Sequence, residues 1–320
     1  MANIRPSLQS KLTYSINLLR KAEKLAFRYD PDGFILAFSG GKDSQALFHV
    51  AQLAGVHFKA QMNLTSVDPP EVIRFVRHAY PEVDMQAPER SIFNEAVRKG
   101  LLPTMNIRWC CKTFKELKTP GKVTLIGIRH AESTRRAKRN EVEITRRKFS
   151  GTLEELDEYR ESLKGKKFLR KDRITIEPDG EQTISCIRGK ETLLISPIIH
   201  WTDEDVWEFL AACDVPHCHL YDEGFKRIGC ILCPMSQPKQ KQVEIARYPH
   251  VKRNWLKSIK EIRRGGYFKE NICGGISEIL HNVGKNEDEI CEAIFDWWIS
   301  GKPYEKWLAE KSQQQLPFKE

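Results

Sequence analysis

A doubly wound α/β fold built on a mostly parallel sheet, with a mostly helical C-terminal region, is what this sequence predicts. Three observations carry that prediction. Short apolar runs rich in strand formers alternate with helix-period segments in the N-terminal part. The first such run, Phe34-Ile35-Leu36-Ala37-Phe38, feeds directly into the glycine turn Ser39-Gly40-Gly41-Lys42-Asp43-Ser44 and then into a helical stretch. From Ile198 onward the pattern turns almost wholly helical. A strand–loop–helix unit of this kind points successive backbone N–H groups at one spot, adds the positive end of a helix and so holds phosphate.

The elements follow in order. Leu8, Leu12, Ile16, Leu19, Ala22 and Leu25 recur at helical spacing, giving a helix over 8–27 that packs on the sheet. The second strand covers 57–64 and is closed by the turn Val67-Asp68-Pro69-Pro70. Pro70 and Glu71 suit the start of a helix over 71–80, and another covers about 91–98. Residues 123–128 form a strand, and the ligand of such a sheet belongs beyond the carboxyl ends of its strands, where the Ser39 loop lies. Trp201 to Trp207 reads as a helix start with Thr202 as cap and acids in the first turn. Helical patterns follow over 239–247, 251–263, 287–299 and 303–312. The expected division is a nucleotide-binding domain over 1–200 and a helical region over 201–320.

At 320 residues the chain can bury a full core. No apolar run is long enough to span a membrane and the N-terminus lacks a signal-peptide pattern, so a cytoplasmic protein with no membrane partner is expected. Nine cysteines in a reducing compartment point to metal binding or reactive thiols rather than disulfides. The net charge of +9 favours an anionic partner. It is concentrated between Thr134 and Arg173, which hold fourteen Lys plus Arg against eight Asp plus Glu. This stretch, within a basic insertion at about 134–190, reads either as a solvated, mobile insertion or as an arm that tracks DNA or RNA phosphates.

The loop at Ser39 is not a Walker A loop, because Asp43 rather than Ser or Thr follows the lysine. Among the cysteines, Cys230-Ile231-Leu232-Cys233 is a CxxC that lets both sulfurs reach one metal, and Cys110-Cys111 is a vicinal pair. With Cys186 these supply enough thiolates for a site with four sulfur ligands, and zinc and iron–sulfur both suit such donors. Cys213, Cys218, Cys273 and Cys291 read as buried small hydrophobes, although His217 and His219 beside Cys218 leave a metal reading open.

The loop resembles the SGGKDS pyrophosphate loop (PP-loop) of the adenine nucleotide α-hydrolase superfamily, a HUP-like fold. Within that superfamily the chain resembles the phosphoadenosine phosphosulfate reductase family over most of 30–240. The matching segments are 39–44, Trp109 to Lys115, Gly127 to Ser133 with Arg136, Pro197 to Asp203, and Leu220 through Cys233-Pro234. The resemblance implies that Ser39, Gly40, Gly41, Lys42, Asp43, Ser44, Gly127 and Arg129 bind ATP and Mg²⁺. It implies catalytic roles for Lys42, Asp43, Arg129 and Arg136. It further implies a [4Fe–4S] cluster on Cys110, Cys111, Cys230 and Cys233, with zinc the alternative metal on the same thiolates. Cys186 stands outside the family's pattern and is an alternative to one of the vicinal pair, since adjacent cysteines strain to reach the same cluster.

True sulfonucleotide reductases carry a C-terminal Glu-Cys-Gly-Ile/Leu-His segment whose cysteine attacks sulfur. This C-terminus, Lys311 to Glu320, has no cysteine, and Asn271-Ile272-Cys273-Gly274-Gly275 lacks the flanking Glu and His. The expectation is therefore an ATP-dependent sulfurtransferase resembling those that install DNA phosphorothioates, with a nucleic-acid substrate and a sulfur donor such as a cysteine desulfurase. The alternatives are a sulfonucleotide reductase using an external thiol, and a non-catalytic nucleotide- and DNA-binding component of a defence or regulatory complex.

Overall fold

The computed structural model describes residues 4–116, 118–164, 174–176, 182–187, 190–265 and 286–314. The chain divides into two compact units, one made of 1–63, 70–86 and 116–228, the other of 64–69, 87–115 and 229–320.

The first unit is built on a seven-stranded sheet. Its strands are β1 (Phe34–Ala37), β2 (Phe58–Asn63), β3 (Asp84–Gln86), β4 (Val123–Leu125), β5 (Val142–Ile144), β6 (Phe149–Gly151) and β9 (Leu193–Ile195), in the order β3-β2-β1-β4-β9-β5-β6. The five strands from β3 to β9 run parallel, while β5 and β6 are added antiparallel at one edge. The strands β7 (Ile174–Ile176) and β8 (Gln182–Ile184) form a separate hairpin. Phe34, Leu36, Val123, Leu125, Leu193 and Ile195 are buried, as near-continuous apolar strands covered on both faces should be. The helices of this unit are α1 (Pro6–Phe27), α2 (Lys42–Ala54), α3 (Pro70–Ala79), α6 (Leu153–Lys164) and α7 (Asp203–Ala212). The expected α/β, doubly wound fold is present, and the strand order reverses between β1 and β4, so a crevice opens beyond their carboxyl ends.

The second unit is helical: α4 (Ile92–Lys99), the single turn α5 (Trp109–Cys111) continued by a π turn over Lys112–Glu116, α8 (Pro238–Arg247), α9 (Pro249–Arg264), α10 (Glu287–Ser300) and α11 (Tyr304–Gln314). The stripe Val251, Trp255, Ile259 and Ile262 buries one face of α9. The Trp255 ring packs on Trp298 at 4.8 Å and on Phe93 at 5.0 Å, and the Trp298 indole N–H donates to the Pro103 carbonyl at 2.6 Å.

Two expectations about organisation are corrected. The boundary does not fall at residue 200, because α7 packs on α2 and is tied to α1 through Lys11–Asp205 at 2.6 Å and Arg5–Asp205 at 2.9 Å. Residues 64–69 and 87–115 meanwhile belong with the CxxC segment. The described part of the basic insertion is also not a solvated appendage. Its residues 142–151 extend the sheet, and Arg136, Arg139, Lys148 and Arg160 are paired with Glu132, Glu143, Glu191 and Asp157. Alternation of neutralising acids with the basic clusters lets the segment fold against the sheet.

Ser91 caps α4, its hydroxyl accepting the Asn94 N–H at 3.2 Å, and the helix closes on Gly100 in the left-handed region. Buried Glu95 accepts from the Arg98 guanidinium at 2.8 and 2.5 Å and pairs with Lys99 at 3.2 Å, which holds its carboxyl down to about 2. A depressed carboxyl stabilises the fold above its unfolded value near 4.5 and loses that contribution as pH falls through about 2. The stability gap between wild type and Glu95→Gln should therefore be constant at neutral pH and close over this acid window. Urea unfolding at a series of pH values checks this, and a gap independent of pH would refute it.

Candidate functional site

The phosphate loop begins where β1 ends. Gly40 sits at φ +71°, and a Cβ there would lie 2.7 Å from Val72 Cγ1 and 2.9 Å from Val76 Cγ2, so only glycine makes the bend. Gly41 caps α2 without a side chain, which leaves the first N–H groups of α2 directed at the loop. Ser44 closes the loop: its hydroxyl donates to the Gly41 carbonyl at 2.8 Å and accepts the Ser39 N–H at 3.2 Å. Ser39 Oγ lies 3.2 Å from the same hydroxyl.

Around this loop lies a polar cleft of about 380 Å³, lined by Ser39, Gly41, Lys42, Asp43, Ser44, Gly127 and Arg129. Every sequence-predicted nucleotide residue except Gly40, which shapes the bend behind it, thus borders one space. Arg136 borders it too, tethered to Glu132. The floor is a ring of two bases and two acids. Lys42 Nζ donates to Asp43 Oδ1 and to Asp203 Oδ1, each at 3.0 Å. Arg129 Nε donates to Asp43 Oδ1 at 2.8 Å, Nη2 to Asp203 Oδ1, and Nη1 to the Trp201 carbonyl at 3.2 Å. Arg129 is 1 % exposed, so it is no solvated surface arginine. Burial pushes the Asp203 carboxyl up, but the hydrogen bonds from Lys42 and Arg129 outweigh that and hold it below the usual range.

Asp203 and Tyr221 are the site residues that sequence reasoning passed over. Thr202 was expected to cap the helix, and it does so in a capping box with Asp205: Asp205 N–H donates to Thr202 Oγ1 at 3.2 Å, and Thr202 N–H to Asp205 Oδ2 at 2.8 Å. That leaves the adjacent acid, Asp203, able to reach across to Lys42 and Arg129. Both residues fall inside segments that carry the family resemblance, which was the available signal.

The second unit holds a small apolar cavity of about 30 Å³, lined by Cys110, Cys111, Cys230 and Cys233 together with Lys115 and Thr65. Arg108 Nη2 donates to Cys111 Sγ at 3.2 Å, and Lys115 Nζ to Cys230 Sγ at 3.4 Å. A hydrogen bond from Cys110, then Arg108, holds the Cys111 thiol below its ordinary range, while the same bond and burial push Cys110 up. The CxxC turn is fixed by Ile231 N–H to the Val67 carbonyl at 2.7 Å and by Leu232 N–H to Glu244 Oε2 at 2.6 Å, with Leu232 in the left-handed region at φ +56°.

This donor set, thiols faced by two cations, has the chemistry of a thiolate-bound metal. The side chains are not drawn onto one point, however: no three His, Cys, Asp or Glu among the described residues converge closely enough to hold a metal ion. Cys186 belongs to the first unit, where it is buried 3.1 Å from the Tyr29 hydroxyl, which also accepts the Cys186 N–H. Cys218 and Cys291 are buried as expected, and Cys213 is half-buried. His217 and His219 pair with Asp222 and Glu223. Cys273, with Asn271 to Gly275, and residues 315–320 lie outside the described residues.

Residues 33–236 match the family model of the phosphoadenosine phosphosulfate reductase domain. An uncharacterized protein of Methanocaldococcus jannaschii is 27% identical over 248 residues, covering 75% of this chain and 50% of that protein. An adenosine 5'-phosphosulfate reductase of Bacillus cereus is 24% identical over 216 residues, 66% of this chain and 76% of the relative. The chain spans half or less of the two Methanocaldococcus relatives it matches. Among solved structures, phosphoadenylyl-sulfate reductase from Candida auris is 15% identical with a TM-score of 0.38, covering 72% of this chain and 97% of that one. Candida glabrata FMN adenylyltransferase is 15% identical with a TM-score of 0.43, covering 72% and 68%. No helix among the described residues is long and apolar enough to cross a membrane.

Gly127 follows β4 where the strand end meets the first turn of α2. A Cβ there would lie 2.9 Å from the Asp43 carbonyl oxygen, which is backbone and cannot swing aside. Gly127→Ala should therefore cost about 1–3 kcal/mol in urea unfolding, the range for overpacking. Wild-type stability in this variant would show that the contact is not tight.

Proposed function

The chain belongs to the phosphoadenosine phosphosulfate reductase family, and from that premise we propose that it is an ATP-dependent sulfurtransferase acting on a nucleic acid. The observation that carries the choice of ATP is the pair of carboxylates, Asp43 and Asp203, set among the phosphate-facing bases of the cleft. Two acids beside a polyphosphate repel it unless a divalent cation joins them, and Mg²⁺ takes carboxylate and phosphate oxygens together. A phosphosulfate has less need of such a pair.

In this reading a substrate oxygen attacks the α-phosphorus, pyrophosphate leaves, and a sulfur nucleophile then displaces AMP. The N–H groups at the start of α2, with Lys42 and Arg129, take up the charge that grows on the departing pyrophosphate. Asp43 and Asp203 hold those two bases in place, and Arg136 adds charge at the side of the cleft. Cys110, Cys111, Cys230 and Cys233 would hold a metal centre, an iron–sulfur cluster or zinc, that binds or braces the sulfur. The nucleic-acid substrate is supported by the +9 net charge and by exposed Arg135, Lys138 and Arg146. A second reading, a sulfonucleotide reductase using an external thiol, is favoured by the family match and by relatives named adenosine 5'-phosphosulfate reductase.

Pyrophosphate release from ATP, assayed with and without DNA or tRNA, separates these readings. Release that depends on nucleic acid is the expected result. Sulfite formed from adenosine 5'-phosphosulfate and a thiol, with no pyrophosphate from ATP, would establish the reductase instead, and neither product would indicate a binding protein. Iron and sulfide analysis after anaerobic purification tests the metal, and stoichiometric zinc without iron would remove the cluster.

A further inference from the structure

One group at the phosphate cleft is not a charge and has no role in the scheme above. Tyr221 borders the cleft, and its hydroxyl accepts the Lys42 N–H at 2.9 Å, so it satisfies one of the N–H groups at the start of α2. The same oxygen lies 3.5 Å from the position a Cβ on Gly41 would take, which sets it directly over the loop. The ring stands edge-on to Trp207, at 5.0 Å and 90°, and it also meets the His217 ring at 6.2 Å. The hydroxyl is thereby held in place by packing. A phenol that accepts one hydrogen bond still carries a proton to donate, and among the described residues no protein acceptor takes it.

We propose that Tyr221 is a specificity-determining hydrogen-bond donor to the phosphate chain of the nucleotide, in addition to holding the loop in shape through Lys42 N–H. The inference rests on the nucleotide reading of the cleft and extends it. The hydroxyl asks for an unprotonated oxygen next to the start of α2, which a polyphosphate or phosphosulfate presents and a bare nucleoside does not. Burial pushes the phenol well above its ordinary range, so it stays a donor throughout the physiological pH range. Its acceptance of the backbone N–H polarises the O–H bond toward the ligand.

Tyr221→Phe keeps the ring on Trp207 and removes only the hydroxyl. Calorimetric titration with a non-hydrolysable α,β-methylene ATP analogue and Mg²⁺, and separately with adenosine 5'-phosphosulfate, should show roughly ten- to hundredfold weaker binding in the variant, the range for a hydrogen bond to a charged group. Adenosine should bind both proteins equally. Amide exchange over 39–44 in the nucleotide-free protein should be faster in the variant, while the melting temperature shifts little. Equal affinity of the two proteins for both phosphorylated ligands would overturn the proposal and leave the nucleotide reading intact. A wild-type protein that binds neither ligand would overturn both. A loss of adenosine binding matching that of the ATP analogue would show a structural role for the ring and overturn the donor assignment.

Discussion

The buried guanidinium of Arg129 is the constraint on which the first unit's site depends. A cation taken out of water must be paired and hydrogen-bonded, and removing one partner of a buried pair costs on the order of 3–5 kcal/mol. Here the three partners come from two separate places in the chain: Asp43 at the start of α2, and Asp203 at the start of α7 with the Trp201 carbonyl just before it. Satisfying this one side chain therefore fixes where the end of β4, the loop after β1 and the beginning of α7 meet. Lys42, itself buried, bridges the same two acids and closes the ring. The acids keep two cations dehydrated and correctly placed, and an incoming phosphate chain competes for those cations without having to gather them.

Backbone space completes what the charges begin. Gly40 and Gly127 are both glycine because something lies where a Cβ would stand, two valines of α3 in one case and the carbonyl of Asp43 in the other. The first lets the loop bend back toward α2, and the second lets β4 approach it. Ser44 then locks the bend by bonding the Gly41 carbonyl and the Ser39 N–H, so the N–H groups of α2 are presented from a loop held by its own hydrogen bonds.

Much of this was legible in order along the chain. The glycine loop between an apolar run and a helix, the cap at Thr202 and the spacing of the CxxC are local patterns whose physics is confined to a few residues. Helices with a clear apolar stripe, such as α9 and α10, match their sequence periods to within a few residues. The antiparallel additions β5 and β6 were not legible, because their alternation is hidden inside a run of charge that looks solvated until Glu143 and Glu191 are seen to pair with it. The boundary at residue 200 failed for a related reason: the helical pattern starts there, but α7 belongs to the sheet through Asp203 and Asp205.

Residue type and spacing alone determined that this chain carries a phosphate-binding loop on a doubly wound sheet, since turns, caps and periodicity are properties of neighbouring residues. Only the tertiary structure decided which distant groups share a space. It joined Asp203 and Tyr221 to the loop, and it set the buried Cys186 thiol against the Tyr29 hydroxyl. Such meetings follow from strand order and helix packing, which act between residues far apart in the chain and leave no local mark on any one of them.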